Sequence, residues 1–256
     1  MPLCHYAVVR IALLTDFGNR DPYVASMKGV IASRCDAAIH DLTHDIAPYQ
    51  VFEAAWFVRI VERWWPDGTI FVCVVDPGVG TSRRIIAVEN KGRVFLAPDN
   101  GLLSLIEAEK IISVEKESFF LPHGSTTFHG RDRFAPVAAA IANGTPLDDL
   151  GPRIDSIEKL DYTSPSYGDE VIGGTIVAID RFGNAITDIE RAHIGFERFA
   201  LRVHYSTVSR LATAYEGSEP FLIVGSIGTI EISMASASAA DVLHLRRGDR
   251  VEIIPS

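Results

Sequence analysis

Up to about residue 154 the chain alternates short β-branched runs with helical patterns, whereas beyond about residue 169 it carries β-rich runs alone. That change of period divides what the two parts can fold into. In the first part, Val8 to Leu14 reads as a near-continuous apolar strand, and a helical pattern follows from about Pro22 to Arg34. Ala37 to Leu42 reads as a second strand. Val51 to Trp65 reads as a helix, with apolar residues recurring three and four apart until Pro66-Asp67-Gly68 ends it. Thr69 to Val75, Ile85 to Glu89 and Val94 to Ala97 are further strands. Pro98-Asp99-Asn100-Gly101 opens a short helix through about Glu107, and Phe134 to Asn143 is a helix stopped by Gly144-Thr145-Pro146. Such alternation predicts an α/β N-terminal domain over 1–154 with a largely parallel or mixed sheet. Residues 155–169 are polar, crowded with Ser, Pro, Tyr and Gly and without a clear period, and read as a linker. Over 170–256, Val171 to Ile179, Ala185 to Ile189, Phe199 to Tyr205, Phe221 to Val224, Thr229 to Ser233 and Arg250 to Ile254 are short runs separated by turns. They predict a smaller C-terminal antiparallel, β-barrel-like domain.

Composition narrows the function classes. With 47% hydrophobic and 22% charged residues the chain can bury a sizeable core. Twenty-four basic against thirty-three acidic residues give −9, with no Lys/Arg block, which argues against nucleic acid or an anionic membrane as partner. The first apolar run is far short of the ~20 residues of a membrane span and no small-residue cleavage site follows it, so a cytoplasmic protein is expected. Cys4, Cys35 and Cys73 are too few and scattered for a disulfide framework or a zinc knuckle, and read as buried or idle thiols.

Several short segments concentrate chemistry. Asp16, in Thr15-Asp16-Phe17-Gly18, stands where a strand of an open α/β sheet ends, the place where such folds receive ligands; a carboxylate there can accept from two adjacent sugar hydroxyls, or act as a turn or cap residue. A kinase reading of Asp16-Phe17-Gly18 fails for want of a glycine-rich loop, a strand lysine and a catalytic-loop pattern. His40 and His44 are four apart, but on a strand running into a loop that spacing does not put them together as metal ligands, and no metal is expected. Between two β-branched runs, Asp76-Pro77-Gly78-Val79-Gly80-Thr81-Ser82-Arg83-Arg84 sets an acid, two glycines and two arginines in a short connection, which is either turn chemistry or a site. Thr127-Phe128-His129-Gly130-Arg131-Asp132-Arg133 is dense in ionisable groups just before an apolar helix: His129 could steer a water and Gly130 would let a ligand approach the backbone, or Arg131 and Asp132 merely form a charge cluster. Asp180-Arg181-Phe182-Gly183-Asn184 joins a carboxylate, a ring and an amide in a turn that could receive a base and an ammonium group, or be a plain hairpin.

Taken together and in this order, TDFG, HDIAPYQVFEAA, VDPGVGTSRR, APDNGLL, TFHGRDRFAP, IDRFGN and VGSIGTIEI resemble the adenosine-forming S-adenosylmethionine (SAM) hydrolases, or SAM hydroxide adenosyltransferases, relatives of the SAM-dependent fluorinase and chlorinase. The resemblance runs from about Ile11 to Ala240. It implies a homotrimer with active sites between subunits and hydrolysis of SAM, the substrate, to adenosine and methionine without a cofactor. The family's water-handling Asp, Arg and His fall on Asp76, Arg83 and His129, with Arg84 the alternative should the register differ by one. The glycines beside them would clear the path of the nucleophile to the ribose 5′ carbon.

The resemblance further implies that Asp16 meets the ribose hydroxyls, Tyr49 and Phe128 the ribose surroundings, Asn184 and Phe182 adenine, and Asp180 the methionine ammonium, with Gly130 among the substrate-binding residues. Ser226 faces the amino-acid end, Tyr215 stacks on adenine, and Ser236 lies at the adenine edge. The halogenase relatives have an arginine after that serine for the methionine carboxylate, where this chain has Ile227, and Met234 and Ala235 replace more polar residues. Three alternatives follow. A chlorinase-like halogenase is disfavoured by a carboxylate at Asp76, which repels a halide. A non-catalytic SAM- or nucleoside-binding protein has no need of Asp76, Arg83 and His129 together. A metal-dependent phosphohydrolase would be built on His40 and His44.

Overall fold

The computed structural model describes residues 9–256; Cys4 and the start of the first strand at Val8 lie outside them. The chain divides into two compact units between Asp161 and Tyr162, a division that falls inside the 155–169 segment. Among the described residues no helix is long and apolar enough to cross a membrane.

The first unit is built on a six-stranded sheet: β1 (Arg10–Thr15), β2 (Ala38–Thr43), β3 (Thr69–Val74), β4 (Ile85–Asn90), β5 (Arg93–Pro98) and β6 (Lys110–Ser113), in the order β2-β1-β3-β5-β4-β6. β1, β2, β3 and β5 are parallel, and β4 runs antiparallel to both its neighbours, so the sheet is mixed. The continuous apolar runs of β1 and β3 are explained by burial on both faces. Ile11, Leu13, Ile70, Val72 and Val74 pack with α1 (Tyr23–Ala32) and α3 (Ala135–Ala142) through Met27, Ile31, Val137 and Ala138. Their neighbours Ala12, Leu14, Phe71, Cys73 and Val75 pack with α2 (Val51–Val61) through Ala54 and Val58.

Two local expectations need correction. No helix follows Pro98: Ser104 N–H donates to the Gly101 carbonyl at 2.9 Å and Ile106 N–H to Leu103 at 3.0 Å, two successive tight turns. Gly101 there has φ 95°, outside the helical region, and the Asn100 side chain reaches back to the Val75 carbonyl at 2.9 Å. The four-residue β6 was not anticipated, being too short to show a period. Burial pushes the Cys73 thiol far up, which keeps it protonated, and the Cys35 Sγ lies 3.6 Å from the Ile31 carbonyl.

The second unit is a nine-stranded sheet: β7 (Ser166–Tyr167), β8 (Ile172–Ile179), β9 (Ala185–Glu190), β10 (Phe199–Val203), β11 (Ser206–Val208), β12 (Leu211–Ala212), β13 (Phe221–Val224), β14 (Thr229–Ser233) and β15 (Arg250–Pro255). The strand order is β11-β10-β15-β8-β9-β14-β13-β12, with β7 beside β8. Every pair is antiparallel except β12 with β13. Residues 172–175 of β8 pair with β15 and residues 176–179 with β9, so one strand passes from one partner to the other and the sheet turns there. A short helix α4 (Ala239–Leu243), capped by the Ser238 side chain on the Asp241 N–H, closes over a core of Ile176, Leu201, Leu222, Ile230, Ile232 and Val251.

Candidate active site

In the first unit the chain passes from β1 through α1 to β2 on one side, then through α2 to β3 on the other side of β1. The strand order therefore reverses between β1 and β3, and the carboxyl ends of these adjacent parallel strands, paired at Thr15 and Val74, open the crevice where such sheets take ligands. Asp16 follows the first and Asp76 the second.

Asp16 sits on a braced turn. Thr15 Oγ1 lies 2.8 Å from His44 Nδ1 and accepts from Phe17 N–H at 3.2 Å; His44 Nε2 is 3.0 Å from Asp41 Oδ1, and Lys28 holds the other Asp41 oxygen at 2.6 Å. Gly18 N–H donates to the His44 carbonyl at 2.8 Å. His44 thus works as a strut between two loops, while the His40 ring packs on Trp65 at 5.4 Å. The two histidines have separate contacts. Asp16 Oδ2 accepts from the Tyr49 N–H at 2.9 Å, which joins these two expected ribose residues and leaves the Tyr49 ring exposed on a backbone of φ 66°.

Asp76, Arg83 and His129 form one hydrogen-bonded cluster. Arg83 Nε lies 3.0 Å from each Asp76 oxygen, its Nη2 also donates to Asp76 Oδ2, and the same Nη2 donates to His129 Nδ1 at 2.8 Å. The pair is nearly dry, with side chains 9% and 5% exposed, and the guanidinium lies over the Phe134 ring at 5.7 Å. Arg84 turns away, with its Nε donating to Asp99 Oδ2 at 2.8 Å and its Nη2 to the Ser156 carbonyl at 3.3 Å. Of the two arginines, Arg83 is the one whose guanidinium reaches Asp76.

Residues 76 and 129 meet because two loops approach closely. Gly80 has φ 82°, and a Cβ there would stand 2.8 Å from the Thr126 carbonyl oxygen. The glycine is thus required by loop-to-loop contact, a different reason from a cleared path to a substrate. His129 precedes a π-type turn, Gly130–Phe134, that runs into α3; its extra residue re-aims the side chains at the helix start. Arg131 and Asp132 form the charge cluster that the sequence allowed: Arg131 binds both Asp132 oxygens at 2.6 and 2.9 Å, and Asp132 accepts from Ser125 N–H at 2.6 Å, pinning the preceding loop.

Burial, aided by the positive Arg133 and Arg83, pushes the His129 imidazole down to about 4. It is therefore neutral near pH 7. Since Nδ1 accepts from Arg83, Nε2 carries the hydrogen, and neither that atom nor Arg83 Nη1, both buried, has a partner among the described residues. Asp76, Phe128, His129 and Gly130 line a cavity of about 250 Å³ with Phe17, Tyr23, Val74, Val79 and Thr127. Its aromatic wall is three edge-to-face rings, Phe17, Tyr23 and Phe128, with centroids 5.1 to 6.0 Å apart.

A larger cavity, about 630 Å³, lies in the second unit and is lined by Asp180, Phe182, Asn184, Tyr215, Met234 and residues 236–238. Asp180 organises its floor: Oδ1 accepts from the N–H groups of Phe182 and Asn184, both at 2.9 Å, and Oδ2 from the Asn184 amide at 2.8 Å. That bond uses the Asn184 NH₂ and leaves its carbonyl oxygen to accept from a ligand. Phe182 and Tyr215 expose 77% and 54% of their surface. Ser226 lies outside this lining, in the turn that precedes β14. Beside this cavity the sequence reading did not single out Glu231, a buried acid 6% exposed whose neighbours include Tyr215 and Asp180. Its signal was a lone carboxylate between two isoleucines in a buried run.

Residues 11–151 match the family described as the SAM hydroxide adenosyltransferase N-terminal domain, and residues 174–252 match its C-terminal domain. A protein of Thermus thermophilus named (R)-S-adenosyl-L-methionine hydrolase is 34% identical over 95% of this chain and 99% of its own length. One of the same name from Methanocaldococcus jannaschii is 32% identical over 95% of each. A fluorinase of Actinopolyspora mzabensis is 28% identical over 96% of this chain and 97% of its own. The crystal structure of an uncharacterized conserved protein from Thermotoga maritima superposes with a TM-score of 0.89 at 34% identity, covering 95% of this chain and 99% of that one.

Proposed function

Because the chain belongs to the SAM hydroxide adenosyltransferase family, we propose that it hydrolyses S-adenosyl-L-methionine to adenosine and L-methionine by in-line attack of water on the ribose 5′ carbon. The observation that carries the chemistry is the Asp76–Arg83–His129 cluster, brought from two loops to the edge of one cavity. As the new C–O bond forms, the C–S bond breaks and sulfur keeps the electron pair, leaving methionine as a neutral thioether. A sulfonium is already a good leaving group, so the protein's task is to place the water at the ~3–3.5 Å attack distance and to favour its developing hydroxide character. No cofactor enters this step.

Asp76 accepts the water's proton as that bond forms. Oδ2 accepts twice from Arg83, whereas Oδ1 accepts once and keeps a further lone pair for the water. Arg83 supplies positive charge beside the incipient hydroxide. Neutral His129, with its hydrogen on Nε2 and its Nδ1 lone pair taken by Arg83, serves as a donor that orients oxygen and leaves proton acceptance to the carboxylate. Asp16 takes the ribose hydroxyls, with Tyr49, Phe128 and Gly130 around the sugar. Asn184, Phe182, Tyr215 and Ser236 take adenine, and Asp180 with Ser226 the amino-acid end. The water-handling groups lie in one unit and the adenine set in the other, and the reading includes a cytoplasmic homotrimer with active sites at subunit interfaces.

The test is incubation of purified protein with SAM in ¹⁸O-labelled water. Adenosine carrying one label at its 5′ hydroxyl, with one methionine per adenosine, is the expected result. Unlabelled adenosine would show another route, chloride-dependent consumption a halogenase, and binding without product a SAM-binding protein.

A further inference from the structure

Glu231 stands in the middle of β14, a strand whose five residues are all buried. Ile230 and Ile232 join the apolar core of the second unit, so alternation sends Thr229, Glu231 and Ser233 to the opposite face. That face is polar yet covered. The Thr229 and Ser233 hydroxyls, on residues 4% and 0% exposed, have no partner among the described residues. A stripe of this kind is costly unless a ligand or water bonds to it.

The Glu231 carboxylate lies directly against Gly225, where any side chain would occupy its space. Gly225 opens the Ser226 turn, closed by its N–H on the Thr229 carbonyl at 2.9 Å and by Gly228 N–H on its own carbonyl at 2.9 Å. Tyr215 is a neighbour of Glu231, and the Asp180 charge is close enough to repel it. Both of these residues line the 630 Å³ cavity. Burial, with Asp180 adding to it, pushes the Glu231 carboxyl above its usual range. Asp180 at the wall and Glu231 buried beside the residues that line it form a pair of acids that a cation able to donate hydrogen bonds relieves. SAM carries two positive groups, and only its α-ammonium has N–H donors. Ile227 offers no charge to the α-carboxylate, so selection at this end falls on the ammonium.

We propose that Glu231 is a specificity-determining residue that, together with Asp180, seats the α-ammonium group of the substrate's methionine. The assignment rests on the hydrolase reading. It is tested by comparing SAM with its analogue lacking the α-amino group, using the wild-type protein, Glu231→Gln and Glu231→Asp, with adenosine binding as a control that does not involve the methionine end. Loss of one charged hydrogen bond corresponds to roughly tenfold to a hundredfold in affinity. Glu231→Gln is expected to raise KM for SAM by about that factor with kcat within about threefold, to shrink the wild-type preference for SAM over the analogue, and to leave adenosine affinity unchanged; Glu231→Asp recovers part of the loss. An unchanged KM and preference in Glu231→Gln, or equal loss of SAM and adenosine binding, overturns the assignment. If the wild-type protein binds SAM without turning it over, the hydrolase reading fails, and the same comparisons of binding constants still decide the ammonium seat.

Discussion

In the proposed mechanism one salt bridge, Asp76 with Arg83, serves both structure and chemistry. The pair is almost dry, so removing the acid leaves a buried guanidinium without its counter-charge. Asp76→Ala is expected to lower adenosine formation by roughly a hundredfold or more, as loss of a positioned proton acceptor does, and to cost about 3 kcal/mol of stability in a denaturant titration. Near-wild-type turnover would remove Asp76 from the mechanism. His129 makes a separate prediction. Its folded-state value of about 4 is below the ordinary 6.5, so between these values the unfolded chain holds a proton that the folded chain refuses. Its contribution to stability is complete above about 6.5 and is lost as pH falls toward 4. Activity should fall over the lower part of that range, because the imidazolium loses the Nδ1 acceptor for Arg83 and repels it. An NMR titration of the His129 ring giving a value at or above 6.5 would contradict this.

At the level of elements, the site depends on what the β3–β4 connection and the segment before α3 do to each other. Gly80 allows the first to rest on the Thr126 carbonyl of the second. Gly80→Ala forces a positive φ on a residue with a side chain, which costs about 1–3 kcal/mol, and pushes apart the loops carrying Arg83 and His129. We expect kcat to drop by roughly tenfold to a hundredfold, as small misplacements of reacting groups do, with adenosine affinity unchanged, because the residues proposed to take adenine sit in the other unit. A Gly80→Ala protein with full kcat would show that the loop contact is dispensable. The strand and helix patterns of the first unit were readable because burial on both sheet faces writes itself as continuous apolar runs in β1 and β3. The turns after Pro98 were misread as a helix because Pro-Asp-Asn-Gly is equally good turn and helix-start chemistry, and the choice lay in Asn100's distant bond to Val75.

For the whole molecule, the reading distributes the substrate's contacts over two units, and the homotrimer it includes is checked by light scattering in solution. A particle of three 28.0 kDa chains is expected; a monomer that hydrolyses SAM would remove the need for a subunit interface. The sequence by itself determined the class of each unit, because the period of burial is a local property of the chain, and it supplied an ordered set of motifs matched across nearly its whole length. What only the tertiary structure decided was contact between distant residues: that Arg83 and not Arg84 reaches Asp76, that His44 braces Thr15, that Gly80 is required by Thr126, and that Glu231 lies under Gly225. Those outcomes depend on packing over tens of residues of separation, and no local pattern records which of two neighbouring side chains a fold will turn inward.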